Sequence, residues 1–406
     1  MLGTLNKLLC KSSKKSKLRL PYALFILLIY TQIAQKTVLL YGFCSQRAYN
    51  YQHLKSAIRL RKLFCNMTKL NKKRLYIATA IVVVLFIPLY WLFFASFSAS
   101  SKPSFVRIDK DDTVDSVYTK LEKVAQPRQM IGLKIACSLV NYAGNIHTGR
   151  YTTGEGISTI KLVRNLRGGR QASIGLVIPV VHTLSDLAGR LSKQLQMDSV
   201  QLNNAFHDKK LLRQFGVDTT NLACLFIPNT YEVYWNINTE QLLKRMKKEH
   251  DEYWTKSRTR KAKEAGLTPD EAYTLASIVE QESVNPDERP MIAGMYINRL
   301  RQGMRLQADP TVKFALQDFN IRRITHAHLS VDSPYNTYRN AGLPIGPICI
   351  PSIDAIEAVL NYTHHDYIYM CAKPDFSGTH NFASTYEEHM KNAHDYADAL
   401  NKRGVK

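Results

Sequence analysis

The sequence predicts an α+β fold that follows a single apolar helix near the N-terminus. First, one charge-free apolar segment is long enough to form a helix by itself. Second, short β-like runs alternate with helices that begin at Ser or Thr in the first half, and longer helical patterns dominate the second half. Third, 45% of the 406 residues are hydrophobic. The chain can therefore bury a core, which excludes a disordered or collagen-like protein.

The apolar segment Leu75–Phe97 contains 23 residues without a charge. At ~1.5 Å rise per residue it extends about 35 Å, enough to cross a hydrocarbon core of about 30 Å. The basic residues before it predict a cytoplasmic N-terminus, with everything after Ser98 outside the membrane. A cleaved signal peptide is the alternative. Its apolar region is usually only about 7–15 residues long, so a single-pass anchor is favoured.

The formal net charge of +22 is concentrated before this segment. Residues 1–66 contain 8 Lys and 4 Arg without an acid, and residues 67–74 add four basic residues, which leaves +6 for the rest. This distribution indicates membrane topology rather than a nucleic-acid partner. Residues 67–98 contain a complete basic N-terminal region followed directly by the membrane-spanning segment. We therefore expect translation to start at Met67 and residues 1–66 to be a misassigned extension. A weaker apolar stretch, Pro21–Gln35, is too short and polar for a second span.

The seven cysteines do not form a recognisable framework. Three lie in the extension: Cys10, Cys44 and Cys65. Four others are widely spaced without a CxxC pair: Cys137, Cys224, Cys349 and Cys371. Spacing alone neither selects a disulfide pairing nor excludes free thiols, so we interpret these four as packing residues.

Residues 103–228 repeat a short strand followed by a helix that begins at Thr or Ser. The pattern appears as Phe105-Val-Arg-Ile-Asp before Thr113, as Leu176-Val-Ile-Pro before Thr183, and as a variant over residues 149–166. This unit resembles the LysM-like subdomain of some cell-wall proteins. A generic α+β fragment fits the pattern about equally well.

Residues 229–406 are predicted to form a second, mixed α+β domain. Gln241–Lys263 has the spacing of one amphipathic helix. Thr268-Pro-Asp-Glu combines an N-cap, a helix-starting Pro and a capping-box Glu, and predicts a helix to about Ser283. The further predicted elements are a helix from Asn285 ended by Gly303, a strand or loop over Arg305–Val312, a loop over Asn340–Pro351, a helix from Ser352 to Asn361, a hairpin of Tyr367–Ala372 with His380–Ala383, and a last helix from Ser384.

Two glutamates on the helix after Thr268 are candidates for acid–base chemistry. Helical spacing places Glu280 and Glu282 on opposite flanks of an apolar stripe, where both can be half-buried. A carboxyl group against apolar neighbours has a raised pKa and can donate a proton at neutral pH. The alternative is a pair of solvated acids at a helix end, and periodicity does not choose between the two glutamates.

Five sequence blocks occur together in the second half of the chain. They are LASIVEQES from Leu275, IAGMYINRL from Ile292, MRLQADPT from Met304, YNTY from Tyr335 and GLPIGP from Gly342. In order and spacing these blocks resemble the endolytic murein transglycosylases of the YceG-like family, and the resemblance covers about residues 98–406.

The resemblance implies a peptidoglycan lyase. Such an enzyme cleaves the MurNAc–GlcNAc β-1,4 bond of nascent glycan strands with the sugar's own 6-hydroxyl as nucleophile, leaves 1,6-anhydroMurNAc ends and terminates glycan elongation. The resemblance assigns the catalytic acid to Glu280, the first glutamate of its motif. One carboxyl group can serve both proton transfers. The family also suggests peptidoglycan synthases, the penicillin-binding proteins, as partners at the membrane.

The resemblance further implies a groove that binds sugars. Its expected lining comprises Glu282, Gln307, Asp309, Tyr335, Asn336, Thr337, Tyr338 and His380. Taken singly, each has packing or turn formation as its more usual role. The chain has no HExxH, P-loop, GxSxG or dinucleotide motif, so neither a metal nor a cofactor is expected.

Two other functions fit the same residues. A non-catalytic peptidoglycan-binding protein would keep the aromatic groove and tolerate loss of Glu280. A hydrolytic muramidase would use Glu282 or Asp309 as a second carboxyl group, because ordinary glycosidases need two.

Overall fold

The computed structural model describes residues 69–403 except 99, 101, 155 and 322. The following predictions therefore lie outside the described residues: the extension 1–66, the start at Met67, the cysteines Cys10, Cys44 and Cys65, and the weaker apolar stretch 21–35. The chain divides into two units, Met1–Pro88 and Leu89–Lys406, and each is described by itself.

Helix α1 (Lys69–Phe94) contains the predicted apolar segment. Its stretch Lys73–Phe94 has a mean hydropathy of 2.5 and is, by length and composition, able to cross a membrane. Pro88 lies inside the helix. The predicted end at Phe97 is three residues too late. Phe97 is fully buried in the folded unit, and its backbone N–H donates to the Ile157 carbonyl at 2.8 Å.

The first folded segment is a strand–helix–helix–strand unit. Strand β1 (Phe105–Ile108) pairs antiparallel with β2 (Gly149–Thr152). Helices α2 (Val114–Glu122) and α3 (Pro127–Leu139) lie between the strands, and α4 (Thr159–Arg167) follows. The side chain of Thr113 caps α2, as predicted.

A second substructure follows, in which two antiparallel strands again enclose helices in the sequence. Strand β3 (Ser173–Val177) pairs antiparallel with β4 (Thr230–Tyr234). Between them lie the helices α5 (Leu184–Ser192), α6 (Ser199–His207) and α7 (Lys209–Arg213). Because β4 completes the sheet of β3, this unit crosses the boundary predicted between residues 228 and 229. The strand and helix elements are confirmed, whereas the LysM-like assignment remains a prediction.

The rest of the chain packs around helix α10 (Pro269–Glu282), in which every residue from Ala272 to Val279 is buried. The helices that pack on it are α9 (Lys256–Glu264), α11 (Arg289–Arg301), α12 (Asp309–Leu316) and α14 (Ile353–Leu360). Helix α8 (Thr239–Tyr253) packs its apolar face into the core of β3 and β4, and the short α13 (His326–Leu329) packs on α12. The antiparallel pair β5 (Tyr369–Ala372) and β6 (His380–Ala383) and the last helix α15 (Tyr386–Lys402) complete the fold. This arrangement confirms the predicted α+β class.

Two predicted elements in this half were wrong. The single helix over 241–263 is two helices, because the chain turns at Trp254 and the Thr255 side chain caps α9. The predicted strand or loop over 305–312 contains the start of α12, which carries Pro310 in its first turn. The side chain of the N-cap residue Ala308 has no hydrogen-bonding group, so the usual polar start signal is absent.

The four cysteines in the described part of the chain are free thiols. Cys137, Cys224 and Cys349 are buried and Cys371 is half-buried. They are packing residues, as expected.

Candidate active site

Two glutamates lie at the C-terminal end of α10, and the start of the helix sets their positions. The Thr268 side chain accepts from the Glu271 N–H, while the Glu271 carboxylate accepts from the Thr268 N–H at 2.7 Å. This capping box sets the register of the helix. Its last turn then carries Glu280 and Glu282 on different sides, both partly exposed.

Glu280 is held by polar groups on both of its carboxylate oxygens. The Arg289 guanidinium lies 2.9 Å from Oε1, and the side chains of Glu280 and Arg289 are only 13% and 9% exposed. Oε2 accepts from the Ser352 N–H at 3.0 Å and also from the Ser352 hydroxyl. Arg289 in turn donates to Ser352 Oγ at 3.0 Å. The network ties the end of α10 to the start of α14.

Glu282 has a different environment. Its carboxylate accepts a hydrogen bond from the Tyr296 hydroxyl at 2.6 Å. The pKa of Glu282 is raised to about 7, mainly by burial. The Asp309 charge also raises this pKa, while the Tyr296 hydrogen bond and the charges of His380 and Lys313 lower it. A pKa raised towards neutrality keeps part of this carboxyl group protonated near pH 7, as a general acid requires.

Asp309 and Tyr338 belong to the neighbourhood of Glu282. The Tyr338 hydroxyl donates to Asp309 Oδ1 at 2.5 Å, and burial together with this bond raises the pKa of Tyr338. Gln307, two residues before Asp309, is exposed and has a left-handed backbone with φ 51°. The structure thus brings Glu282, Asp309, Tyr338 and Gln307 to one end of α10 and α12.

Arg299 holds this segment in place, a role that the sequence did not reveal. It is buried on α11, and its guanidinium donates to the carbonyls of Leu306 at 2.7 Å and Ile368 at 2.6 Å. A weaker contact of 3.4 Å reaches Gln307 Oε1. Arg299 therefore connects the chain before α12 with the chain before β5.

His380 is fixed by Glu288. Its ring nitrogen Nδ1 lies 2.9 Å from Glu288 Oε2, and its backbone N–H donates to Oε1 at 2.6 Å. Glu288 is buried and also accepts from the Ser283 hydroxyl at 3.2 Å. Glu288 thus fixes the orientation of the imidazole, and His380 in turn lowers the pKa of Glu282.

Of three neighbouring residues predicted to line the groove, two are buried within a loop and the third, Tyr335, is half-buried. Asn336 is fully buried and donates to the carbonyls of Leu329 and Val331. Thr337 is 1% exposed, and its hydroxyl bonds the Ala308 N–H and the Thr311 hydroxyl. The half-buried Tyr335 packs its ring against Phe314, with the centroids 4.7 Å apart. These contacts correct the prediction: Asn336 and Thr337 shape the loop, and neither reaches a surface that a sugar can touch.

The described residues contain no group of three His, Cys, Asp or Glu side chains arranged as metal ligands.

The arrangement can be set beside known proteins. The family model described as the YceG-like family matches residues 106–395. The chain belongs to the YceG-like family.

Two curated relatives carry the same name. An endolytic murein transglycosylase of Streptococcus pneumoniae (serotype 2, strain D39 / NCTC 7466) is 28% identical over 335 residues, which cover 74% of this YceG-like chain and 59% of that protein. An endolytic murein transglycosylase of Bacillus subtilis (strain 168) is 28% identical over 279 residues, which cover 64% of this chain and 76% of that protein. The chain thus spans less than two thirds of the streptococcal relative.

A crystal structure of a yceG-like protein from Listeria monocytogenes is also similar. It aligns with a TM-score of 0.46 and 28% sequence identity, over 72% of this chain and 99% of that one.

The sequence analysis missed the residues that distinguish the two glutamates of this YceG-like protein. Tyr296 lies in the IAGMYINRL block, and a buried tyrosine hydroxyl usually has a hydrogen-bond partner. Arg289 and Ser352 meet Glu280 from 9 and 72 residues away in sequence. Nothing in the local pattern of α10 indicates these partners.

Proposed function

We propose that this YceG-like protein is a peptidoglycan lytic transglycosylase and that Glu282, rather than Glu280, is its general acid and base. Family membership and the names of the two curated relatives support the activity. The single observation that carries the choice of residue is the different bonding of the two carboxylates. Glu280 is occupied on both oxygens, whereas Glu282 has one hydrogen bond and a pKa of about 7.

The proposed reaction uses Glu282 twice. The protonated carboxyl group first donates its proton to the oxygen of the MurNAc–GlcNAc bond, and that bond breaks at the anomeric carbon of MurNAc. The resulting carboxylate then takes the proton of the MurNAc 6-hydroxyl as its oxygen attacks the same carbon. A 1,6-anhydro end forms, no water is consumed, and Glu282 is protonated again.

Neighbouring side chains have supporting roles in this proposal. The Tyr296 hydroxyl orients the Glu282 carboxylate. Burial is the main cause of the raised pKa of Glu282, and the charge of Asp309 adds to it. The Tyr338 hydroxyl fixes Asp309. Gln307, Tyr338 and His380 are partly or fully exposed polar side chains, so they are our candidates for contacts with the sugar.

The role of Glu280 is structural in this proposal. Its ion pair with Arg289 and its two bonds from Ser352 hold α10, α11 and α14 together. A carboxylate that leaves this network to reach a substrate would leave Arg289 buried without its counter-charge, which costs several kcal/mol.

We further propose that α1 anchors the protein in the inner membrane. The helix is long and apolar enough to cross a membrane, and the basic residues before it favour a cytoplasmic N-terminus. Residues after Phe94 would then lie outside, where nascent glycan strands are made. Cleavage at that place would terminate the elongation of glycan strands. The proposed partners are the peptidoglycan synthases that make these strands.

Product analysis tests the activity. The full-length chain in detergent is incubated with purified peptidoglycan, and the released fragments are weighed by mass spectrometry. Anhydro ends, lighter by one water than hydrolysed ends, are expected. Hydrated ends would instead identify a muramidase, and no cleavage would favour a non-catalytic binding protein.

A further inference from the structure

Helix α3 carries an exposed apolar stripe. Ile131, Ile135 and Leu139, spaced four residues apart on one face, are 58%, 45% and 80% exposed. The opposite face is also apolar and is buried, with Leu133 and Cys137 almost without exposure. In a water-soluble protein the outward face of such a helix is polar. A second apolar surface is therefore expected to cover this one.

The stripe begins where the apolar helix α1 ends. The Gln129 amide donates to the Trp91 carbonyl at 2.7 Å. A Cβ added to Gly132 would lie 2.4 Å from the Leu92 carbonyl oxygen, so the backbones of α3 and of the last turns of α1 are in direct contact. Leu139 lies about 10 Å farther along α3 than Gly132. The exposed stripe is thus continuous with the end of the proposed membrane anchor.

Basic and aromatic groups surround the stripe. The Arg128 guanidinium lies 5.0 Å from the centroid of the Trp91 ring. Lys134 is 3.3 Å from Glu122 and remains half-exposed. Helix α3 itself contains no acid. Tryptophan beside arginine and lysine at the end of an apolar helix is typical of the boundary between acyl chains and phospholipid headgroups.

We propose that Ile131, Ile135 and Leu139 rest in the headgroup region of the same bilayer that α1 crosses. The inference depends on the proposed membrane anchor and adds a second contact to it. An interfacial helix inserts its apolar face about 5–10 Å into the boundary, and anionic phospholipids match the charges of Arg128 and Lys134. The enzyme would then act on strands close to the membrane.

Depth-dependent quenching in vesicles tests this contact. An environment-sensitive fluorophore is attached to Leu139→Cys in the full-length chain, in a background where Cys10, Cys44, Cys65 and Cys371 are replaced by Ser. Val84→Cys in α1 and Val200→Cys in α6 are matched controls, because both are exposed aliphatic positions on helices, 67% and 66% exposed. The vesicles contain phosphatidylethanolamine and phosphatidylglycerol, with doxyl groups either near the headgroup or near the end of the acyl chain.

The three positions give distinct expected results. The probe at Leu139→Cys should emit at shorter wavelength than the probe at Val200→Cys and be quenched most by the shallow doxyl group, whereas Val84→Cys should be quenched most by the deep one. Quenching at Val84→Cys with none at Leu139→Cys would contradict the contact of α3 with lipid but would still support the membrane anchor. A blue shift at Leu139→Cys without lipid quenching would overturn it in favour of a protein partner. Absence of quenching at both positions would overturn the contact and the anchor together.

Discussion

Glu280 and Glu282 are two residues apart, yet their neighbours come from different parts of the chain. Arg289 and Ser352 bond both oxygens of Glu280, whereas Glu282 faces Tyr296 and the charge of Asp309. A general acid must be able to give up its proton to a substrate and recover it. At the scale of single residues, this requirement favours Glu282.

The raised pKa of Glu282 predicts a pH-dependent contribution to stability. Because burial raises this pKa from 4.5 to about 7, the folded protein retains a proton that the unfolded chain releases. Stability from this group is complete below about pH 4.5 and is lost as the pH rises through about 7. Relative to Glu282→Gln, which stays neutral, the melting temperature of the wild-type chain should fall across this window. Thermal unfolding at several pH values measures it, and a pH-independent difference would contradict the raised pKa.

Two neighbours of Glu282 should move its pKa in opposite directions. Tyr296→Phe removes a hydrogen bond that lowers this pKa, so the alkaline limb of the pH–rate profile should move to higher pH. Asp309→Asn removes a charge that raises it, so the limb should move to lower pH. Each shift is expected to be on the order of one pH unit. Profiles of product release check this, and shifts in the same direction would count against Glu282 as the titrating acid.

Removing the Glu280 carboxylate should destabilise the fold. Glu280→Gln leaves Arg289, 9% exposed, without its counter-charge, which should lower the free energy of unfolding by about 3 kcal/mol. Glu357→Gln is a matched control, since its ion pair with Arg258 is about one third exposed and should cost less than about 1 kcal/mol. Denaturant unfolding compares the two variants. Equal losses would mean that the Glu280 network is not structural.

At the scale of elements, the contact between α1 and α3 depends on Gly132. A Cβ at this position would meet the Leu92 carbonyl oxygen at 2.4 Å, so Gly132→Ala should cost about 1–3 kcal/mol. Gly189→Ala on α5 is the control, because its Cβ meets nothing within 4 Å. This change should stabilise its helix by about 0.5–1 kcal/mol. Thermal unfolding of both variants tests the contact, and a neutral Gly132→Ala would show that the helices do not touch there.

Elements with a strong local signal were predictable from sequence. The capping box at Thr268 places the start of α10 correctly, and Ser352 caps α14 as expected. The break between α8 and α9 was missed because the amphipathic pattern continues through it, and the turn depends on a cap at Thr255. The end of α1 was placed too late because an apolar Phe97 suits a membrane and a protein core equally well.

At the scale of the whole molecule, the sequence indicated the α+β class and placed both candidate acids on one helix. It did not indicate how differently the two glutamates are bonded, because that depends on Arg289, Ser352 and Tyr296, which approach α10 only in the folded chain. The burial of Asn336 and Thr337 was unpredictable for the same reason, since their partners lie in other loops and helices. The roles proposed for residues of the candidate site therefore rest on tertiary contacts, which the local sequence pattern does not contain.

The most direct test of this account compares the release of anhydro ends by the wild-type chain, Glu282→Gln and Glu280→Gln, each at equal concentration of folded protein. Loss of a general acid should lower the rate about 10²–10⁴-fold in Glu282→Gln. Glu280→Gln, assayed below its unfolding temperature, should stay within about tenfold of the wild type, because its carboxylate does not touch the substrate. Near-wild-type release by Glu282→Gln, with loss of release in folded Glu280→Gln, would contradict the assignment.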